Sequence, residues 1–185
     1  MSRKRGAKKM GTRSLTVIVE ADGNEISVLY RQYDGYLTGH GAELKHFLNG
    51  FSVVNGLGID DRRNTANGMG CLAAQIVANF KTGPGGFYLY PPGTRDCGEE
   101  YIYTVYPQRP VGDSYSGIYL KVQAGCVTFF GFPGTKQENM SVLYDGPVED
   151  FDPETVERSW RSSEQEPVND FLDSQILSSE IIGAD

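Results

Sequence analysis

The pattern of apolar and polar positions near the start of the chain predicts a β-hairpin. Residues 14–20, SLTVIVE, are largely β-branched and apolar, and residues 26–33, ISVLYRQY, return to an alternating pattern. Asp22 and Gly23 lie between these segments, and this dipeptide is typical of a tight hairpin turn. The two segments are therefore predicted to be adjacent antiparallel strands.

Two later segments have the period of a helix. Residues 42–49, AELKHFLN, place apolar side chains at helical spacing, and Gly50 ends this pattern. Residues 71–81, CLAAQIVANFK, are rich in alanine and predict the longer helix, which the following TGPGG ends. Between the two helices, residues 51–58 fit either a short strand or an irregular turn.

Short β-branched and aromatic segments predict that the second half of the chain consists of strands with hairpin-length connections. The predicted strands are residues 87–92, 100–107, 117–125, 126–134 and 141–146. Residues 117–125 and 126–134 are expected to form a hairpin. The whole order predicts an α+β fold, in which a mainly antiparallel sheet carries two helices packed on one face.

Charge divides the chain into three parts. The formal net charge is −7, yet the first thirteen residues carry six basic side chains, and residues 145–185 carry twelve acidic side chains against two basic ones. The acidic end is also poor in core residues, so it is expected to be disordered or loosely docked. We predict a basic N-terminal arm over residues 1–12, a single α+β domain over 13–146 and an acidic, mostly flexible tail over 147–185.

Both charged ends leave alternatives open. The arm can bind nucleic acid through its cations, or be a solvated leader, or fold onto the acidic tail. In the tail, Asp152 followed by Pro153 is typical of a helix start and predicts one short helix. The cations of the arm are Arg3, Lys4, Arg5, Lys8 and Lys9.

Composition excludes several classes of protein. No apolar run has the length of a membrane span, so no membrane partner is expected. Three cysteines at wide spacings argue against a disulfide framework and favour a reducing compartment. No cysteine and histidine spacing fits a zinc site, and no cofactor motif is complete. We expect a cytoplasmic protein, in the host cytoplasm if it is viral, without a metal or cofactor.

The segment RQYDGYLTGHG, residues 31–41, combines an arginine, two tyrosines, a carboxylate, a histidine and three glycines. Strand alternation places Arg31 and Tyr33 on one face, and the glycines beside His40 allow a close approach of the backbone. A sharp turn in which Arg31 pairs with Asp34 is the alternative. A turn alone does not require arginine, tyrosine and histidine together, so we predict a polar pocket.

A second candidate segment is NGMGCLA, residues 67–73. The strand that a dinucleotide-binding fold requires before such glycines is not predicted, so that fold is rejected. Glycines that lead into a helix still leave free backbone N–H groups that suit an anion, and Arg62 and Arg63 lie upstream. The alternative is that these glycines pack under the sheet. The predicted ligand-binding residues are Arg13, Arg31, Tyr33, His40, Gly68, Gly70 and Cys71.

Cys71 also suggests a catalytic alternative. A cysteine at a helix N-terminus has a stabilised thiolate and can act as a nucleophile, with His40 as the base and Asp34 orienting it. A buried apolar cysteine is the simpler interpretation. We therefore assign no catalytic residue and lean against an enzyme.

The stretches MGTRSLT, YRQYDGYLTGHG, ANGMGCLA and FYLYPPGTRDCGEE lie within residues 10–106. Together they resemble a family of small bacteriophage and prokaryotic proteins, which open with Met-Gly-Thr-Arg-Ser and carry a Tyr-Arg-Gln-aromatic-Asp-Gly-Tyr…Gly-His-Gly motif. In this chain the pentad begins at Met10, so residues 1–9 look like an added leader. The resemblance implies a viral origin and no mechanism.

These observations favour a small phage-type accessory protein that binds an anionic small ligand. A nucleotide or a nucleotide-derived signal is the candidate, and sequestering it would counter host defence. The alternatives are a cysteine hydrolase that uses Cys71, His40 and Asp34, and a host-protein inhibitor or virion-associated protein that makes contacts through its tails and exposed aromatic side chains. We expect Arg31, His40 and Cys71 to converge where the N-termini of both helices open.

Overall fold

A computed structural model describes residues 11–56, 64–108, 117–125 and 140–164. The strands are β1 (Ser14–Val19), β2 (Glu25–Arg31), β3 (Ser52–Val54), β4 (Thr65–Asn67), β5 (Phe87–Tyr90), β6 (Tyr101–Pro107), β7 (Ile118–Ala124) and β8 (Ser141–Pro147). The helices are α1 (Ala42–Leu48), α2 (Gly68–Phe80) and α3 (Pro153–Glu164), with a π-helical turn at Leu37–Gly41 and a 3-10 turn at Val148–Asp150.

Six strands form one sheet in the order β5-β2-β1-β6-β7-β8. Four of the five strand pairs are antiparallel. The pair β1–β6 is parallel, and the long connection that a parallel pair requires contains both α1 and α2. The predicted α+β fold with a mainly antiparallel sheet is confirmed. β3 and β4 form a separate parallel pair.

The sheet is buried on both faces near its centre. The larger cluster joins alternate strand residues such as Ile18, Leu29 and Val105 to Leu44 of α1 and Ile76 of α2. The helices therefore cover this face, as the sequence predicts. A smaller cluster lies on the opposite face and consists of Leu15, Val17, Val28 and Ile102. Two buried faces explain why β1 is apolar at consecutive positions.

The C-terminal part of the chain packs more closely than its composition indicates. Val148 and Phe151 are buried in the main cluster, and Phe151 is 0% exposed. Asp152 accepts hydrogen bonds from the backbone of Glu154 and Thr155 and caps α3, as predicted. Packed structure therefore continues beyond residue 146, where the sequence predicts the end of the domain, because Val148 and Phe151 are part of the core.

Other predictions differ from the structure or fall on residues that it does not describe. The polar stretch before α2 contains β4, which was not predicted, and α2 begins at Gly68 rather than at Cys71. The predicted strand 126–134, the basic arm up to residue 10 and the tail after Glu164 lie outside the described residues. Within the described ranges, no helix is both long enough and apolar enough to cross a membrane.

Candidate functional site

The segment 31–41 folds into the end of β2 followed by the π-helical turn. Asp34 adopts a positive φ of 56°, and its carbonyl accepts the backbone N–H of His40 at 2.9 Å. A Cβ atom at Gly39 would lie 2.5 Å from that carbonyl, and one at Gly41 would lie 3.2 Å from the Tyr103 hydroxyl. A side chain at Gly39 would clash with the backbone and one at Gly41 would crowd Tyr103, and the turn directs His40 into the core.

His40 is buried, with 1% exposure, and three aromatic rings surround it. The ring centroids of Phe80, Phe87 and Tyr103 lie 5.4, 5.6 and 5.2 Å from that of His40, all in edge-on arrangements. Burial and the charge of the neighbouring Arg31 lower the pKa of His40 to about 3. The imidazole is therefore neutral at physiological pH.

The hydrogen bonds of His40 define its tautomer. Arg31 Nη1 lies 2.9 Å from His40 Nδ1, and Thr16 Oγ1 lies 2.7 Å from His40 Nε2. A guanidinium can only donate, so Nδ1 is the acceptor, and Nε2 carries the proton that it donates to the Thr16 hydroxyl. His40 thus connects the central strand β1 to the guanidinium of Arg31.

Arg31 is held from several directions, and its side chain is only 11% exposed. Nε donates to the carbonyl of Tyr33 at 2.6 Å, and the guanidinium carbon lies 5.1 Å from the Phe87 ring centroid. On the solvent side, Nη1 and Nη2 donate to the carboxylate of Glu43, which is 53% exposed. Within the described part of the chain, Nη2 keeps one N–H without a partner.

Two open cavities meet at Arg31. The larger cavity, the cleft, has a volume of about 950 Å³ and lies between α1, the end of α2 and β5. The smaller one has a volume of about 280 Å³ and lies beside the glycine-rich loop 82–86. Both are lined by Arg31, Phe80, Thr82 and Phe87. The other lining residues of the cleft are Glu43, His46, Phe47, Asn49, Phe51, Asn64, Gln75 and Asn79.

The structure brings together only part of the predicted site. Arg31 and His40 are hydrogen-bonded, and Tyr33 and Asp34 line the smaller cavity. The ion-pair partner of Arg31 is Glu43 rather than Asp34. His40 itself is too deeply buried to contact a ligand, so it acts on the site through Arg31.

The predicted convergence with Cys71 is wrong. The ring of His40 packs against Phe80, which is the last residue of α2. Cys71 lies nine residues earlier, which corresponds to about 14 Å along the helix axis. Gly68 and Gly70 lie farther still from His40. The C-terminal end of α2 therefore reaches the site, whereas its N-terminal end follows directly on β4.

Arg13 also lies apart from Arg31. Its Nη1 atom lies 2.6 Å from the position that a Cβ atom of Gly98 would occupy. Burial raises the pKa of Tyr30, and the nearby charge of Arg13 opposes that shift. Because Tyr30 packs in the smaller cluster, on the sheet face opposite Arg31, Arg13 belongs to that face. Arg62 and Arg63 lie outside the described residues.

Sequence reasoning missed most of the cleft. Glu43 follows the motif by two positions, and its place in the first turn of α1 was a usable signal. Phe80 and Phe87 flank the TGPGG loop, so their closeness was also predictable. Asn49, Asn64 and other carboxamides of the cleft follow no sequence pattern.

No family model, no curated protein and no solved structure matches the chain. The resemblance to a bacteriophage family therefore stays a prediction, and a functional assignment depends on the geometry of the site. Within the ranges that the structure describes, no group of three or more His, Cys, Asp or Glu side chains is arranged to hold a metal ion.

Proposed function

We propose that the protein binds a small anionic ligand, a nucleotide or a nucleotide-derived signal, at Arg31. The observation that carries this proposal is an oriented guanidinium at the junction of two open cavities. Guanidinium groups bind phosphate and carboxylate through paired hydrogen bonds, and their fixed planar geometry gives specificity.

The support behind Arg31 favours this role. The carbonyl of Tyr33 and the ring nitrogen of His40 accept two of its N–H groups, and Phe87 packs against its face. A preorganised side chain loses little conformational freedom when a ligand binds, so more of the interaction energy appears as affinity. The neutral state of His40 also matters, because an imidazolium would repel the guanidinium.

An incoming anion has to displace the Glu43 carboxylate or share the Arg31 guanidinium with it. The Glu43 carboxylate is about half exposed, and ion pairs of that kind are worth only ~0–1 kcal/mol. A phosphate group with up to two negative charges competes well against such a partner. Glu43 therefore tunes the affinity of the site without closing it.

In the cell, a protein of this kind would act by sequestration. The proposed ligand is removed from solution by stoichiometric binding, which requires no catalytic residue. The resemblance to bacteriophage proteins supports a counter-defence role in the host cytoplasm, where nucleotide-derived signals are found.

The proposal is tested by measuring nucleotide affinity in the wild type and in a variant that carries an added negative charge in the cleft. Wild-type protein is titrated calorimetrically with nucleoside mono- and diphosphates and with cyclic nucleotides. Asn79→Asp adds a negative charge to the exposed lining and should weaken binding about five- to tenfold. Asn55→Asp makes the same change at an exposed position outside both cavities and should bind like the wild type. The proposal fails if no nucleotide binds and none co-purifies.

A second candidate is an interaction with a host protein through the sheet edge. β5 is an edge strand among the described strands, with Leu89 61% exposed and Tyr88 41% exposed. Such an edge can pair with a strand of another protein. Pull-downs from host lysate with wild type and with Leu89→Lys test it, because a partner bound at this edge is lost only from the variant.

The cysteine hydrolase has little support. His40 lies beside Phe80 at the C-terminal end of α2, whereas Cys71 lies near the N-terminal end of that helix. A base whose pKa is about 3 also has little tendency to take a thiol proton. Replacing Cys71 by serine should leave ligand binding unchanged in the same calorimetric assay.

A further inference from the structure

The cleft has an aromatic row that leads to Arg31. The ring centroids of Phe51 and Phe47 are 5.0 Å apart, those of Phe47 and Phe80 are 5.8 Å apart, and those of Phe80 and Phe87 are 5.6 Å apart. All four rings line the cleft, and the Arg31 guanidinium lies over the last of them. The four rings thus form a continuous chain of contacts that ends at Arg31.

Carboxamides supply most of the remaining lining. Asn49 ends α1, Asn64 precedes β4 and Asn79 lies in the last turn of α2, so three separate elements contribute. Each of the three is exposed, and its side-chain amide has no hydrogen-bond partner among the residues described. A carboxamide offers two donors and one acceptor oxygen, so it can pair with either kind of polar edge.

Charge is concentrated at one end of the cleft. Arg31 and Glu43 pair there, whereas the rest of the lining consists of aromatic rings, carboxamides, Thr82 and His46. This distribution fits a ligand that has a flat, neutral, hydrogen-bonding part and one anionic group. A sugar phosphate would leave the aromatic rings uncovered, and a lipid phosphate would bury the carboxamides without partners.

We infer that the cleft is a nucleobase subsite, in which the base lies over the aromatic row and the asparagines read its polar edge. This inference rests on the proposed function, because the anionic group of the same ligand binds Arg31. Bases stack readily on aromatic side chains, and asparagine pairs well with the donor and acceptor edge of a base. The volume of about 950 Å³ falls within the usual range of small-molecule sites.

The experiment separates the base from the phosphate. Wild-type protein is titrated with a nucleoside 5′-monophosphate, the corresponding nucleoside and ribose 5-phosphate. The nucleotide should bind at least about thirtyfold more tightly than ribose 5-phosphate, because stacking adds to the anion contact. Asn49→Ala and Asn79→Ala should each weaken nucleotide binding about five- to tenfold and leave ribose 5-phosphate unaffected. Asn55→Ala, outside the cleft, is the matched control.

Each of the other outcomes refutes the nucleobase subsite, the anion site at Arg31, or both. If ribose 5-phosphate binds as tightly as the nucleotide and the asparagine variants change nothing, the nucleobase subsite is refuted and the anion site stands. If the nucleoside binds as tightly as the nucleotide, the base subsite stands and the role of Arg31 as anion anchor is refuted. If none of the three ligands binds, both are refuted.

Discussion

The buried, neutral state of His40 makes the stability of the fold depend on pH. Its pKa falls from 6.5 to about 3 because burial and the Arg31 charge disfavour the imidazolium. The folded protein therefore excludes a proton that the unfolded chain accepts below pH 6.5. The stabilising contribution is fully present above pH 6.5 and is lost progressively as the pH falls toward 3.

The size of this effect follows from the pKa difference. Each pH unit below 6.5 removes about 1.4 kcal/mol from the free energy of unfolding, so the loss between about pH 7.5 and pH 5 is about 2 kcal/mol. Although burial acts to raise it, hydrogen bonds and charge together lower the pKa of Glu25 and of Glu157 below the ordinary 4.5. Their contributions are lost mainly below pH 4.5, outside this window.

Urea unfolding at several pH values, followed by circular dichroism, measures the effect. His40→Gln should keep the acceptor for Arg31 and the donor for Thr16 without a titrating group, so its stability should vary little over this range. His46 is the other histidine of the chain and is exposed, so His46→Gln should retain the wild-type slope. The reasoning is refuted if wild type and His40→Gln show the same pH dependence.

Three further substitutions probe the site and the fold. Glu43→Gln removes the competing carboxylate and should tighten binding of an anionic nucleotide about fivefold by calorimetry; weaker binding would contradict the displacement of Glu43. Arg31→Lys cannot reproduce all of the guanidinium contacts, so it should abolish detectable binding and also lower the free energy of unfolding by about 1–3 kcal/mol; a variant as stable as wild type would show that these contacts are dispensable. Phe151→Ala should destabilise by about 3–5 kcal/mol in urea unfolding, whereas Val142→Ala, at a position 54% exposed, should cost less than about 1 kcal/mol; equal effects would mean that the segment after residue 146 is not part of the core.

Periodicity in the sequence was sufficient for most of the elements. The hairpin β1–β2, the helix α2 and strands β6 and β7 each show the pattern that burial on one or two faces imposes on a chain. The order of these elements also favoured an α+β fold. Burial pattern and local turn chemistry agree in these segments, and such agreement is what makes a prediction from sequence reliable.

The path of the chain between elements could not be predicted from periodicity. Whether α2 places Cys71 or Phe80 beside His40 depends on the direction of the helix, and the short strand β4 that leads directly into α2 was not predicted. Three-residue strands carry too little periodic signal to be recognised. The carboxamides of the cleft were missed for a related reason, because Asn49 and Asn64 come together only through tertiary structure.

The sequence of RQYDGYLTGHG fits either a turn or a site, and the structure combines a turn with a candidate site. The turn is tightly packed, since a side chain at Gly39 would clash with the Asp34 carbonyl and one at Gly41 would crowd Tyr103. The turn places His40 in the core, where it is 1% exposed and accepts a hydrogen bond from Arg31. A neutral acceptor in that place orients the guanidinium without cancelling its charge, which a buried carboxylate would do. One role therefore accounts for Arg31, His40 and the glycines of the motif: the turn holds the guanidinium of Arg31 at the junction of the two cavities.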